Sequence, residues 1–81
     1  MTNRHKLRAL LQDVFLLGDE EFRFDLTRTE IETWDSFGVV SLAVGVQQVF
    51  GHHFTPEEAN RLESVADIMA VLTSHGIAFD D

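Results

Sequence analysis

Asp35 and Ser36 stand where an irregular stretch gives way to a nearly unbroken apolar run, Gly38 to Phe50, that is expected to be a helix. A hydroxyl at a helix start lies among unpaired backbone N–H groups, at the positive end of the helix dipole, and this is a natural seat for phosphate. Ser36 is therefore in a position where a phosphodiester could be carried. Aspartate and serine are also common N-caps, which accept hydrogen bonds from first-turn amides. The pair takes its meaning from its setting.

Other chemistry is poorly supplied. A catalytic serine needs a positioned base and oxyanion donors in a dry site, and nothing in the sequence places a histidine beside Ser36. His52 and His53 are adjacent, lack helical spacing and have no cysteine to assist them, so they read as a solvated turn rather than a metal site. His5 and His75 offer nothing better, and no metal site is expected. The acidic clusters Asp19-Glu20-Glu21 and Glu57-Glu58 suit a basic partner, although the second pair also does capping and dipole work.

The 81 residues suffice for one domain, 1–81, with a single small core and no deep active site. Six Lys plus Arg against 14 Asp plus Glu give a net charge of −8, which disfavours nucleic acid and anionic lipid and favours basic partner surfaces. With no cysteine there is neither a disulfide framework nor a thiolate metal site, which fits a reducing, cytoplasmic setting. No segment approaches the roughly 20 apolar residues of a membrane span, and the N-terminus lacks the apolar core of a signal peptide. A soluble monomer is expected.

Leu7, Leu10, Leu11, Val14 and Phe15 follow helical spacing, so the first helix is expected over residues 3 to 17, with Gly18 as its left-handed stop. The connection from Gly18 to Asp35 contains Phe22, Phe24, Leu26 and Ile31, too apolar for a free linker, and a helical turn is expected at Asp25 to Thr29. The second helix is expected from Ser36 to Phe50, stopping at Gly51. Its β-branched residues also suit a buried strand, but a lone strand with no partner could not satisfy its backbone. Thr55-Pro56-Glu57-Glu58 combines an N-cap, a first-turn proline and a capping-box glutamate, opening a short third helix. Ser64 with Asp67 opens the fourth, which carries Val65, Ile68, Val71 and Leu72 on one face and ends near Gly76. The expected fold class is all-α, a four-helix bundle of three main helices and one short one.

These residues resemble the acyl and peptidyl carrier protein family, and the resemblance covers most of the chain. The family places its prosthetic-group serine in an Asp-Ser-Leu or Asp-Ser-Met motif at the start of its second helix, and Asp35-Ser36-Phe37 matches in position. Trp34 looks like the Trp-Asp-Ser variant found in discrete carriers. Val40, Leu42, Val46 and Phe50 fall at the apolar positions of the second helix, and Gly51 and Phe54 match the turn after it. Thr55 to Ala59 resembles the short acidic third helix, and Ser64-Val65-Ala66-Asp67-Ile68 resembles the entry to the fourth.

The resemblance implies that Ser36 receives 4'-phosphopantetheine from coenzyme A. A separate phosphopantetheinyl transferase would install it with a magnesium ion. The arm's thiol would store acyl or aminoacyl groups as thioesters, and the chain itself would catalyse nothing. The implied partners are that transferase, a loading enzyme, and downstream transferases or synthases.

Two departures from the family pattern stand out. Phe37 replaces the usual Leu or Met after the serine, and the second helix carries no acidic side chain after Asp35, with Ser41, Gln47 and Gln48 at the usual acidic places. Docking through shape and apolar contact is expected, at Trp34, Val39, Val40 and Ala43, with less salt dependence than an acidic helix gives. That favours a specialised pathway over housekeeping fatty acid synthesis, with polyketide, nonribosomal peptide, modified-lipid and surface-polymer pathways all open. Trp34 also reads as an aromatic plug that seats the loop against the core. Gly45, mid-helix, implies close approach of a neighbour, room for an acyl chain, or simple tolerance. The rival readings are an unmodified helical interaction module, which leaves Ser36 bare, and a small hydrolase.

Overall fold

The computed structural model describes residues 2–79. Among these described residues four α-helices run in the order α1 (Asn3–Phe15), α2 (Ser36–Phe50), α3 (Pro56–Arg61) and α4 (Val65–Ser74), with one 3-10 turn at Arg28–Glu30 between α1 and α2. The all-α four-helix architecture is the expected one, and the β-branched run of α2 is helical.

The helix starts are set by local side chains. The hydroxyls of Thr2, Thr55 and Ser64 accept from the amides of His5, Glu58 and Asp67 at 3.0–3.1 Å, and Asp35 does the same for α2. At Thr55 the box closes, because the Glu58 carboxylate accepts the Thr55 N–H at 3.0 Å. Each such cap satisfies a first-turn amide that has no partner within its helix.

Two boundaries differ from expectation. Helix α1 ends at Phe15, and its left-handed cap is Leu16 (φ 58°), not Gly18. The cap and the following amide both return to Gln12 O, the latter at 2.9 Å. That closure holds a branched residue where glycine is usual, at about 1–2 kcal/mol. The expected turn at 25–29 lies at Arg28–Glu30 instead, because Thr27 takes the capping position and its N–H and hydroxyl both donate to Glu30 Oε1.

The core gathers Leu7, Leu11 and Phe15 of α1, Leu42 and Val46 of α2, and Val65, Ile68 and Leu72 of α4, all nearly inaccessible. The α1–α2 connection belongs to it through Phe22, Leu26, Ile31 and Trp34. Each such side chain contributes roughly 1.5–3 kcal/mol on burial, which explains why so long a connection is ordered.

That connection is latched to the helices it crosses. The Arg28 amide donates to Glu63 O at 2.7 Å and the Val65 amide to Leu26 O at 2.9 Å, either side of a single antiparallel bridge between Thr27 and Ser64. At its far end the Thr33 hydroxyl donates to Phe15 O at 2.9 Å. The chain thus reaches α2 with its position fixed against both α1 and α4.

Candidate functional site

Ser36 is the first residue of α2, and Asp35 is its N-cap in extended conformation, with Oδ1 accepting the Gly38 N–H at 2.9 Å. The capping work falls to the aspartate. Ser36 is exposed, and among the described residues no hydrogen bond engages its hydroxyl. With Gly38 held by Asp35 and the Val39 amide returning to Asp35 O at 2.9 Å, the Ser36 and Phe37 amides are the unpaired donors of the first turn. A free oxygen beside free amides at a helix dipole's positive end suits a phosphodiester.

Below Ser36 the backbone is tightly seated. A Cβ added to Gly38 would collide with the Thr33 carbonyl oxygen and lie 3.2 Å from the Phe15 ring. Only glycine lets the first turn of α2 come this close to the loop and to α1. Trp34 packs on the same place: it is 3% exposed, and its ring stacks on Phe15 with centroids 5.0 Å apart. The Arg28 Nε–H donates to the Trp34 carbonyl at 3.2 Å, fixing the backbone two residues before the serine.

This burial corrects one expectation. Trp34 is the plug of the loop and lies beyond the reach of a docking partner. Of the other expected docking residues, Val40 is exposed while Val39 and Ala43 are half-buried. Phe37 stands 79% exposed, and Val40 and Val44 continue from it at helical spacing with 61% and 50% exposure. The opposite face of α2 is core, at Gly38, Leu42, Gly45 and Val46. Helix α2 is therefore apolar on both faces, one buried and one open. Gly45 is explained by contact: a Cβ there would strike Leu10 Cδ1 of α1, so the residue permits close helix approach.

The histidines are placed differently from the solvated turn expected for them. His53 fits that expectation, since it is exposed and its Nδ1 lies 3.1 Å from Gln47 Oε1. His52 is half-buried, edge-on to Phe54 with centroids 5.0 Å apart and tilted over His75 at 4.1 Å. Both rings reach Glu58: His75 Nε2 donates to Oε2 at 3.1 Å, and His52 Nε2 lies 3.4 Å from Oε1. The Thr55 backbone N–H, and after it His75, hold the Glu58 carboxyl below its ordinary range. Sequence spacing gave no sign of this cluster, because His52 and His75 are 23 positions apart and only the course of α4 brings them together.

Among curated proteins, an acyl carrier protein of Coprothermobacter proteolyticus is 29% identical to this chain over 70 residues, 86% of this chain and 85% of that protein. The likeness to acyl carrier proteins thus extends across most of both sequences. No family model matches the chain, and no solved structure matches it.

Proposed function

We propose that this acyl-carrier-like chain is a carrier protein, in which Ser36 bears 4'-phosphopantetheine and the chain presents a thioester cargo to partner enzymes. The observation that carries the reading is the Ser36 hydroxyl itself: exposed, without a hydrogen bond among the described residues, and placed at the first position of α2 beside an open apolar face. The bound arm would supply a thiol that holds acyl or aminoacyl groups as thioesters. The protein's residues hold and present it.

Asp35 fixes the first turn, Gly38 and Trp34 seat that turn against the core, and the Ser36 and Phe37 amides face the phosphodiester position. Among the described residues no hydrogen bond links Ser36 to a base that would take its proton, so activation falls to the transferase. The chain is on this reading a substrate and carrier of other enzymes, not an enzyme. Phe37, Val40 and Val44 form the surface that a partner meets next to the serine. With no acid on α2 after Asp35, docking rests on shape and apolar contact, which supports a specialised pathway rather than housekeeping fatty acid synthesis.

The test is the intact mass of the purified chain before and after incubation with coenzyme A, magnesium and a broad-specificity phosphopantetheinyl transferase. The expected result is a gain of one phosphopantetheine on the wild-type chain and none on Ser36→Ala, with both variants folded alike by circular dichroism. Loading of Ser36→Ala would move the site elsewhere. No loading of a folded wild type by an active transferase would favour the unmodified interaction module.

A further inference from the structure

The geometry points to a transition-metal site at the opposite end of α2 from Ser36, in which His52 Nε2, His75 Nε2 and the Glu58 carboxylate bind a zinc ion. One donor atom from each residue lies within 4.8 Å of the others. Zinc bonds of about 2.0–2.1 Å in a tetrahedron hold their donors about 3.3 Å apart. His75 Nε2 lies 3.1 Å from Glu58 Oε2 and His52 Nε2 lies 3.4 Å from Glu58 Oε1, near that value but on the two different oxygens of the carboxylate. A single ion needs the donors drawn closer than this, and His75, with a side-chain accessibility of 47%, is the ligand with room to move.

A second observation is independent of these distances. His52 Nε2 is screened from solvent and, among the described residues, has no hydrogen-bond partner, standing 3.4 Å from Glu58 Oε1. A buried ring nitrogen without a partner is a cost that a metal bond removes. The ligands are also held from behind, as metal ligands generally are. The Glu58 oxygen nearest His52 accepts the Thr55 N–H at 3.0 Å, and the His52 ring is set edge-on against buried Phe54.

Two imidazoles and one carboxylate suit zinc and its neighbours in softness, and give magnesium or calcium little to bind. The fourth position is left for water. To bind, His75 must present a bare Nε2, so its hydrogen bond to Glu58 gives way to the metal bond. The ion would join the α2–α3 turn, α3 and the end of α4.

The experiment uses the untagged full-length chain carrying Ser36→Ala, so that no pantetheine thiol competes for metal and the carrier reading is not at stake. Zinc is titrated by calorimetry, and thermal unfolding is followed with zinc and with chelator. The expected result is one zinc per chain. A rise in Tm on the order of 10 °C is expected when zinc exceeds its Kd about a hundredfold. His75→Ala, at an exposed position, and Glu58→Gln, which preserves the capping box, should each weaken binding at least tenfold and erase the rise. His53→Ala should bind as the parent does, and magnesium should not bind. Absence of zinc binding, equal binding by His75→Ala, or equal loss in His53→Ala would each overturn the site.

Discussion

Ser36 is available because Asp35 does the capping. Had the serine been the N-cap, its oxygen would be turned to the Gly38 or Val39 amide, as the Asp35 oxygen is at 2.9 Å. Asp35→Ala should cost about 1 kcal/mol in urea unfolding, with Asp35→Asn recovering most of it. Gly38 tests the same turn from beneath. Alanine there gains about 1 kcal/mol of helix propensity, but its methyl group meets the backbone carbonyl of Thr33, which cannot swing aside as a side chain does. Gly38→Ala should lose on the order of 1–3 kcal/mol net and slow phosphopantetheine loading. Gly45→Ala, which meets only the mobile end of Leu10, should stay within about 1 kcal/mol of wild type. Equal losses at the two glycines would show that the first turn is not specially constrained.

Two elements carry a capping-box glutamate with a second side-chain partner, Glu30 of the 3-10 turn with Arg23 and Glu58 in the first turn of α3 with His75. Glu30 is held below its ordinary 4.5 by the Thr27 hydroxyl and then by Arg23, and Glu58 by the Thr55 N–H and then by His75. A carboxyl depressed in the folded state contributes its full stabilisation above its unfolded value and loses it as the pH falls through the lower folded value. Resistance to urea unfolding should therefore fall below about pH 4.5, and the fall should be shallower in the Glu30→Gln, Glu58→Gln double variant. Parallel curves would mean that these carboxylates do not shape acid stability. Helix starts of this kind were legible in the sequence because a cap needs only a few successive residues, as Thr55-Pro56-Glu57-Glu58 and Ser64 with Asp67 show. The Leu16 stop was not, since its positive φ is set by where the latched connection leaves α1. Trp34 lay open to both a core and a surface reading, and only packing on Phe15 decides between them. The His52, Glu58 and His75 cluster depends on the docking of α4, which no local pattern encodes.

Over the whole molecule the charge is −8, spread on a body about 29 × 27 × 19 Å. At about 0.01 M salt the screening length is about 30 Å, so every carboxylate feels every other across the fold; at about 0.15 M it is about 8 Å, and only neighbours interact. The neighbours are mixed. Arg23 sits between Asp25 at 2.9 Å and Glu30 at 2.7 Å, and Arg8 lies 3.8 Å from Asp19, all at exposed positions where such a pair is worth about 0–1 kcal/mol. Short contacts of this kind are screened little over that range, whereas the repulsion of the excess acids is screened strongly. Raising salt from about 0.01 to about 0.15 M should therefore raise the Tm, by a few degrees if the relief approaches about 1 kcal/mol. A fall would mean that the ion pairs outweigh the net charge. Partner docking should respond differently, because the face beside Ser36 is Phe37, Val40 and Val44 with no acid on α2 after Asp35. Over the same salt range the affinity of a cognate partner for that face should change by less than about threefold, within the spread of apolar contact, while a steep fall would assign the docking to the acidic surfaces outside α2.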